Sequence, residues 1–171
     1  MEIVYAPNQK LRVKTRPVKK ITPALIHTLK EMVKLTKTFK DPEGVGLAST
    51  QVGLDEAFFV AKNKERFIMV LNPKILKSGK KTKKYFEGCL STPSIWGEVK
   101  RNLTIKVSYL DHSGNLITKT LTGVPAWIFQ HEIDHINGII FQDRVLEQKG
   151  KFYKFIGKDH TGADMFEEIT I

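Results

Sequence analysis

The sequence predicts an α+β fold, a single compact domain in which antiparallel or mixed strands surround one central helix, with a further helix near the N-terminus. Two observations carry this. Residues 22–38 and 124–137 repeat apolar side chains at helical spacing. The runs between them have strand length, and nothing alternates strand with helix as a βαβ chain would. No internal repeat or low-complexity linker divides the chain, so residues 1–171 read as one domain.

The first helix opens at Thr22, a natural N-cap, with Pro23 in its first turn. Leu25, Ile26, Leu29, Met32, Val33 and Thr36 form its apolar stripe, and Asp41-Pro42-Glu43-Gly44 ends it. Residues 57–61 and 67–71 follow as apolar strands around a polar turn at 62–65. Leu103, Ile105, Val107 and Tyr109 alternate with more polar neighbours, giving a strand with one buried face. Asp111-His112-Ser113-Gly114-Asn115 turns the chain, and residues 116–121 return as the hairpin partner. The second helix runs from about Val124 to Asn137, with Pro125 in its first turn and Gly138 as its C-cap. Val124, Ile128, His131 and His135 share one of its faces. From Val145 onward the pattern fades, and residues 165–171 read either as a short strand or as a frayed end.

Hydrophobic residues make up 41% of the chain and charged ones 27%, an ordinary globular balance. No run approaches the length needed to span a bilayer, and the N-terminus lacks the pattern of a signal peptide, so the expected compartment is the cytoplasm. The single cysteine, Cys89, excludes a disulfide within the chain. The net charge of +10 favours approach to polyanions. Its lysines are spread along the chain, however, and no known nucleic-acid-binding motif accompanies them, so sequence-specific recognition of nucleic acid is not expected.

The most informative segment is His131-Glu132-Ile133-Asp134-His135. Histidines at i and i+4 project from one helical face and can reach one metal ion. Glu132 beside the first of them can handle the proton of a water activated there. An open tetrahedral site needs a third protein ligand. One branch of metallopeptidases places a third histidine shortly after a glycine, but here Gly138 is followed by Phe141 at that position. Another branch uses a downstream glutamate, and nothing around Glu147, Glu167 or Glu168 suggests a second ligand helix. Cys89, in Glu87-Gly88-Cys89-Leu90-Ser91, is the best upstream candidate, since a thiolate is a good soft ligand.

A third segment, Gly44-Val45-Gly46-Leu47-Ala48-Ser49-Thr50-Gln51, precedes these two. In that order, GVGLASTQ, EGCLS and HEIDH resemble the three motifs of the peptide deformylase family, and the resemblance covers about residues 1–145. It implies removal of the formyl group from the N-terminal formyl-methionine of new polypeptides. It also implies one divalent metal ion held by Cys89, His131 and His135, usually Fe(2+), with nickel, cobalt or zinc able to replace it. Glu132 would be the general base and acid, with the Gln51 amide and the Leu90 backbone N–H as oxyanion donors. The substrate would pair with backbone near Val45, Gly46 and Gly88, and its methionine would enter a pocket lined by Val45, Trp127, Ile128 and His131. Glu87 and Arg101 would form a supporting charge pair, with Asp134 behind the ligands.

Two positions depart from the family pattern. Ser49 replaces a common alanine, and Trp96 stands where some members carry an arginine near the outer part of the substrate. The tail 146–171 is short and lacks the long basic helix with which some members dock on the ribosome, so any docking is expected through the lysine-rich surface. Two other functions compete. A zinc endopeptidase with the same helix would need no Cys89, and a non-enzymatic RNA- or ribosome-binding domain would need no Glu132.

Overall fold

The computed structural model describes residues 1–40 and 43–170. Its helices are α1 (Pro23–Thr38), α2 (Val124–Ile136) and α3 (Phe141–Glu147). Its first five strands are β1 (Gly46–Ala48), β2 (Phe58–Asn63), β3 (Arg66–Ser78), β4 (Thr82–Cys89) and β5 (Thr92–Asn102). The other four are β6 (Thr104–Leu110), β7 (Leu116–Thr122), β8 (Phe152–Lys158) and β9 (Asp164–Ile169). One sheet has the order β1-β2-β3-β6-β7 and the other β4-β5-β8-β9. Every pairing in both is antiparallel, so of the two expected arrangements the antiparallel one holds.

Helix α1 forms as its sequence dictates. The Thr22 hydroxyl accepts the Leu25 N–H at 3.2 Å, and Leu29, Met32 and Thr36 are buried. The helix ends at Thr38, and Asp41 and Pro42 of the expected stop signal lie outside the described residues. The β6–β7 hairpin closes as expected, with Asp111 Oδ1 accepting the N–H groups of Ser113 and Asn115 and with Gly114 at φ +84°.

Strand β3 runs well beyond residues 67–71. The register slips between Leu71 and Lys74, so Pro73 falls in an irregular stretch where its missing N–H breaks no ladder bond. Asn72, at φ +51° there, uses its side-chain amide as a substitute strand, donating to Val18 O and accepting from Val18 N. Strands β1, β4, β5 and β8 and helix α3 are additions to the sequence reading. In β4 and β5 the inward face carries Tyr85, Glu87, Val99 and Arg101. Two buried charges on that face break the alternation that would have marked the strands. The tail is a β8–β9 hairpin, and the expected short strand is β9; Ile171 lies outside the described residues.

Helix α2 sits between the sheets, packed on β1, β2, β5 and β7. Ala126, Ile128, Phe129 and Ile136 join Ala48, Phe59, Val70 and Ile105 in one core cluster. Val124, on the histidines' face by its spacing, lies at the first position of the helix and is exposed. At the other end Gly138 adopts φ +74° and lies against the Arg12 carbonyl, where a Cβ would sit 2.5 Å from the oxygen.

Candidate active site

The two histidines project from α2 towards the end of β4. There the β4–β5 register slips between Gly88 and Cys89, which turns the Cys89 side chain out of the regular ladder. The Cys89 sulfur and one ring nitrogen each of His131 and His135 lie within 4.8 Å of one another. Cys89 Sγ is 3.2 Å from His135 Nε2. A cleft of about 250 Å³ opens beside them, lined by Val45, Gly46 and Gln51 from the glycine-rich segment, by Gly88, Cys89 and Leu90, and by Trp127, Ile128, His131 and Glu132 of α2. Residues from three distant segments therefore meet at one place, as expected. Gly44 of the glycine-rich segment and Trp96 also line the cleft, as does Glu43, which the motifs did not indicate.

The family model described as Polypeptide deformylase matches residues 1–151. The chain belongs to this family. It is 40% identical to the peptide deformylase of Thermotoga neapolitana over 139 residues, which is 81% of this chain and 83% of that one. The crystal structure of the Thermotoga maritima peptide deformylase superposes with a TM-score of 0.79 at 38% identity, covering 84% of this chain and 95% of that chain. A peptide deformylase from Synechococcus elongatus, solved in complex with actinonin, gives 0.78 at 32% identity, over 84% and 78% of the two chains. The chain is accordingly a hydrolase that removes N-formyl groups from nascent peptides, of a metal-dependent family.

Within this deformylase, each motif residue is held by identifiable contacts. Glu87 Oε2 accepts from His131 Nδ1 at 2.9 Å, which leaves Nε2 facing the other donors. Arg101 donates to both oxygens of Glu87, at 2.7 and 2.9 Å, and to Asp134 Oδ2. Asp134 also accepts from Arg144 of α3, at 2.6 and 3.0 Å. Arg144 carries no motif signature, and only the fold reveals its part. Burial alone would raise the Glu87 carboxyl, but Arg101 and His131 outweigh it and hold it at about 2. Burial likewise pulls His131 down, while Cys89 and Glu87 prevail and hold it well above its ordinary range. The surroundings thus favour positive charge at that point, which suits a bound cation. Burial pushes His135 far down, with His131 and Arg101 acting the same way, so its ring is neutral and able to ligate.

Glu132 is the contrasting carboxylate. Burial pushes it up to about 7, only partly opposed by His131. Its Oε2 is buried with no partner among the described residues. Gly46 explains how it fits: a Cβ there would lie 2.1 Å from Glu132 Oε1. The glycine of the first motif is therefore the space that the glutamate occupies. Gln51 is fixed by accepting the Ala48 N–H at 2.8 Å, so its Nε2 points to Cys89 Sγ at 3.3 Å and Ser91 Oγ at 3.1 Å. Ser49, the departure from the family pattern, donates to the Glu56 carbonyl at 2.6 Å, so its hydroxyl is satisfied away from the cleft.

Proposed function

We propose that Cys89, His131 and His135 hold one divalent ion, Fe(2+), and that Glu132 is the general base and acid for hydrolysis of N-terminal formyl-methionine. The convergence of a sulfur and two imidazoles beside an unpartnered buried carboxylate carries this reading. The donor set fits the ion, since a thiolate and two imidazoles, which give up their protons on ligation, suit first-row metals. When bound, the ion acts as a Lewis acid and makes water acidic enough to react near neutral pH.

The residues then divide the work. The formyl-methionyl backbone pairs as an extended strand with Val45, Gly46 and Gly88, and its side chain enters the apolar part of the cleft between Val45, Trp127 and Ile128. Glu132 takes the proton of the water that attacks the formyl carbon. Gln51 Nε2 and the Leu90 backbone N–H donate to the oxyanion that forms, each worth about 3 kcal/mol. Glu132 returns the proton to the amine as the C–N bond breaks and formate leaves. Glu87, Arg101 and Asp134 keep His131 oriented. An endopeptidase using this helix would have no use for Cys89, whose place in the cluster favours the deformylase chemistry.

Residues 1–171 act as one catalytic domain in the cytoplasm; no described helix is long and apolar enough to cross a membrane. Ribosome docking uses the lysine-rich surface, including the stretch where β3 leads into β4, in which Lys74, Lys77, Lys80, Lys81, Lys83 and Lys84 are all exposed and Lys77 lies directly opposite Lys106 of β6. Co-sedimentation with ribosomes should weaken steeply with added salt, and binding indifferent to salt would remove this part.

Formate release from formyl-Met-Ala-Ser, measured anaerobically on Fe(2+)-loaded protein, tests the roles. Wild type should turn over, and Glu132→Ala should lose about 100-fold or more while retaining its metal. A variant that keeps full activity would take the proton-transfer role from Glu132.

A further inference from the structure

The N-terminal residues 1–12 carry none of the three motifs, yet two of their backbone N–H groups end at the catalytic segments. Val4 N–H donates to the Gln51 carbonyl at 2.8 Å, and Ala6 N–H donates to the Ser91 carbonyl at 2.9 Å. Ser91 Oγ in turn accepts from Gln51 Nε2 at 3.1 Å, which closes a ring of contacts through both segments. Gln51 and Ser91 are wholly enclosed there. The N-terminal stretch is itself pinned on both sides. Ile3 packs against the core cluster of Leu47, Phe58 and Leu71, and Leu11 is buried in the turn Gln9–Arg12. Between the two donors, the Tyr5 N–H has no partner among the described residues, and the Tyr5 side chain is exposed.

We propose that Val4–Ala6 is a splint that fixes the separation of the two oxyanion donors, with Ser91 as its side-chain link, so that Val4, Ala6 and Ser91 are positioning residues of the reaction. This role presupposes the deformylase reading, with Gln51 Nε2 and the Leu90 N–H as the donors. Those donors come from segments far apart in sequence, and they stabilise an oxyanion only if both are aimed at one point before the charge develops. The splint holds each of them close to its root. One bond grips the backbone of Gln51 itself, and the other grips Ser91, which directly follows Leu90. Two residues of chain span at most about 7 Å, so this short stretch limits how far the two segments can part. Ser91 adds direction. Gln51 Nε2 carries two hydrogens, and the Ser91 hydroxyl takes one of them. The other is thereby turned towards Cys89 Sγ, at 3.3 Å, where the cleft lies. The last torsion of a glutamine is loosely defined on its own, so the Ala48 N–H on Oε1 leaves the plane of the amide free to tilt once that hydroxyl is gone.

The test measures formate release from formyl-Met-Ala-Ser by metal-loaded wild type, Ser91→Ala, Val4→Pro and Tyr5→Pro, and by the first two substitutions combined with Gln51→Ala. Proline at position 4 deletes the donated N–H, whereas at position 5 it deletes one that nothing accepts. Ser91→Ala and Val4→Pro should each lower kcat by about tenfold or more, with KM and metal content little changed, because the donors act in the transition state. Tyr5→Pro should keep the wild-type kcat. Neither Ser91→Ala nor Val4→Pro should slow Gln51→Ala further, since both act through that side chain. Hydrogen exchange on the zinc-loaded protein reads the splint apart from activity: the Val4 and Ala6 amides should be protected and the Tyr5 amide should exchange freely. Ser91→Ala leaves the N-terminal backbone intact and decides the matter should Val4→Pro not fold. A wild-type kcat in either folded variant, or losses that multiply with an impaired Gln51→Ala, overturns this proposal alone. Full activity in Gln51→Ala would overturn the oxyanion assignment and this proposal with it, and no formate from wild type would overturn the deformylase reading itself.

Discussion

Substituting Gly46 by alanine should disable the enzyme through a residue that takes no part in the chemistry. Gly46 has an ordinary extended conformation on β1, paired with Ala61, so alanine meets no backbone strain. Its methyl group would instead lie 2.1 Å from Glu132 Oε1, 2.7 Å from Cδ and 3.0 Å from Cγ. Van der Waals contact needs about 3.5 Å, so the carboxylate must retreat by roughly 1 Å or more. It cannot swing into solvent, because Glu132 is only 3% exposed. Overpacking of this kind costs about 1–3 kcal/mol of stability. The larger effect is on rate, since a displacement of about 1 Å at a reacting group costs about 100-fold. The assay is formate release by Gly46→Ala, Glu132→Ala and the double variant, with metal content measured in parallel. If the methyl acts through Glu132, the double variant should be no slower than Glu132→Ala alone. A Gly46→Ala enzyme with wild-type kcat, or losses that multiply in the double variant, would refute this account of why the motif needs glycine.

Three further outcomes follow from the same contacts. Arg101→Met should destabilise the protein by about 3–5 kcal/mol in urea unfolding, because it takes the guanidinium from the wholly buried Glu87 carboxylate and leaves Asp134 with Arg144 alone, and a loss under 1 kcal/mol would contradict this. Glu132→Gln should stabilise the metal-free chain at pH 8 by about 3 kcal/mol and hardly at pH 4. With the native carboxyl raised from 4.5 to about 7, its stabilising contribution is complete below pH 4.5 and lost as pH rises through 7, so a gain equal at both pH values would be evidence against it. Stripping the metal should lower Tm, and restoring it at a hundredfold excess over Kd should recover about 2.7 kcal/mol, or roughly 5–11 °C. Cys89→Ser should show a clearly smaller recovery, and an unchanged one would remove the sulfur from the ligand set.

The sequence made some parts of this molecule legible because their signals are local. Helix α1 announces its start with Thr22-Pro23, and the histidines declare the helical face that carries them. The site was legible because each of its three segments is a compact motif. What escaped is what depends on long-range pairing. Strands β4 and β5 hide their alternation because the buried positions hold Glu87 and Arg101 in place of apolar residues. Strand β3 continues through Pro73 only because an irregular register shields the missing donor. The hairpin's pattern fades in sequence because Phe152-Tyr153 and Phe155-Ile156 put apolar residues side by side and break the alternation, and its order comes from pairing with β5. Arg144 could not be singled out, since nothing in its neighbourhood shows that α3 delivers it to Asp134.

The two buried glutamates show how one small region shifts two carboxyls in opposite directions. Glu87 and Glu132 are both almost wholly enclosed, and burial pushes both carboxyls upward. The difference lies in their neighbours. Arg101, on the strand beside Glu87, grips it with two hydrogen bonds and holds it ionised, so that it orients His131 permanently. Glu132 has no such partner, and the space beside it is kept by a glycine instead of a cation, so its carboxyl sits close to neutral pH where proton transfer is efficient. Apolar residues in place of Glu87, Arg101 and Asp134 would serve stability as well or better, because the desolvation of buried ions offsets most of their attraction. Their value is positional: β4 is tied to β5 through Glu87 and Arg101, β5 to α2 through Asp134, and α2 to α3 through Arg144. Every element that bears a candidate ligand is thereby fixed against its neighbour by a charged contact, while Glu132, the proposed proton carrier, is left outside the network.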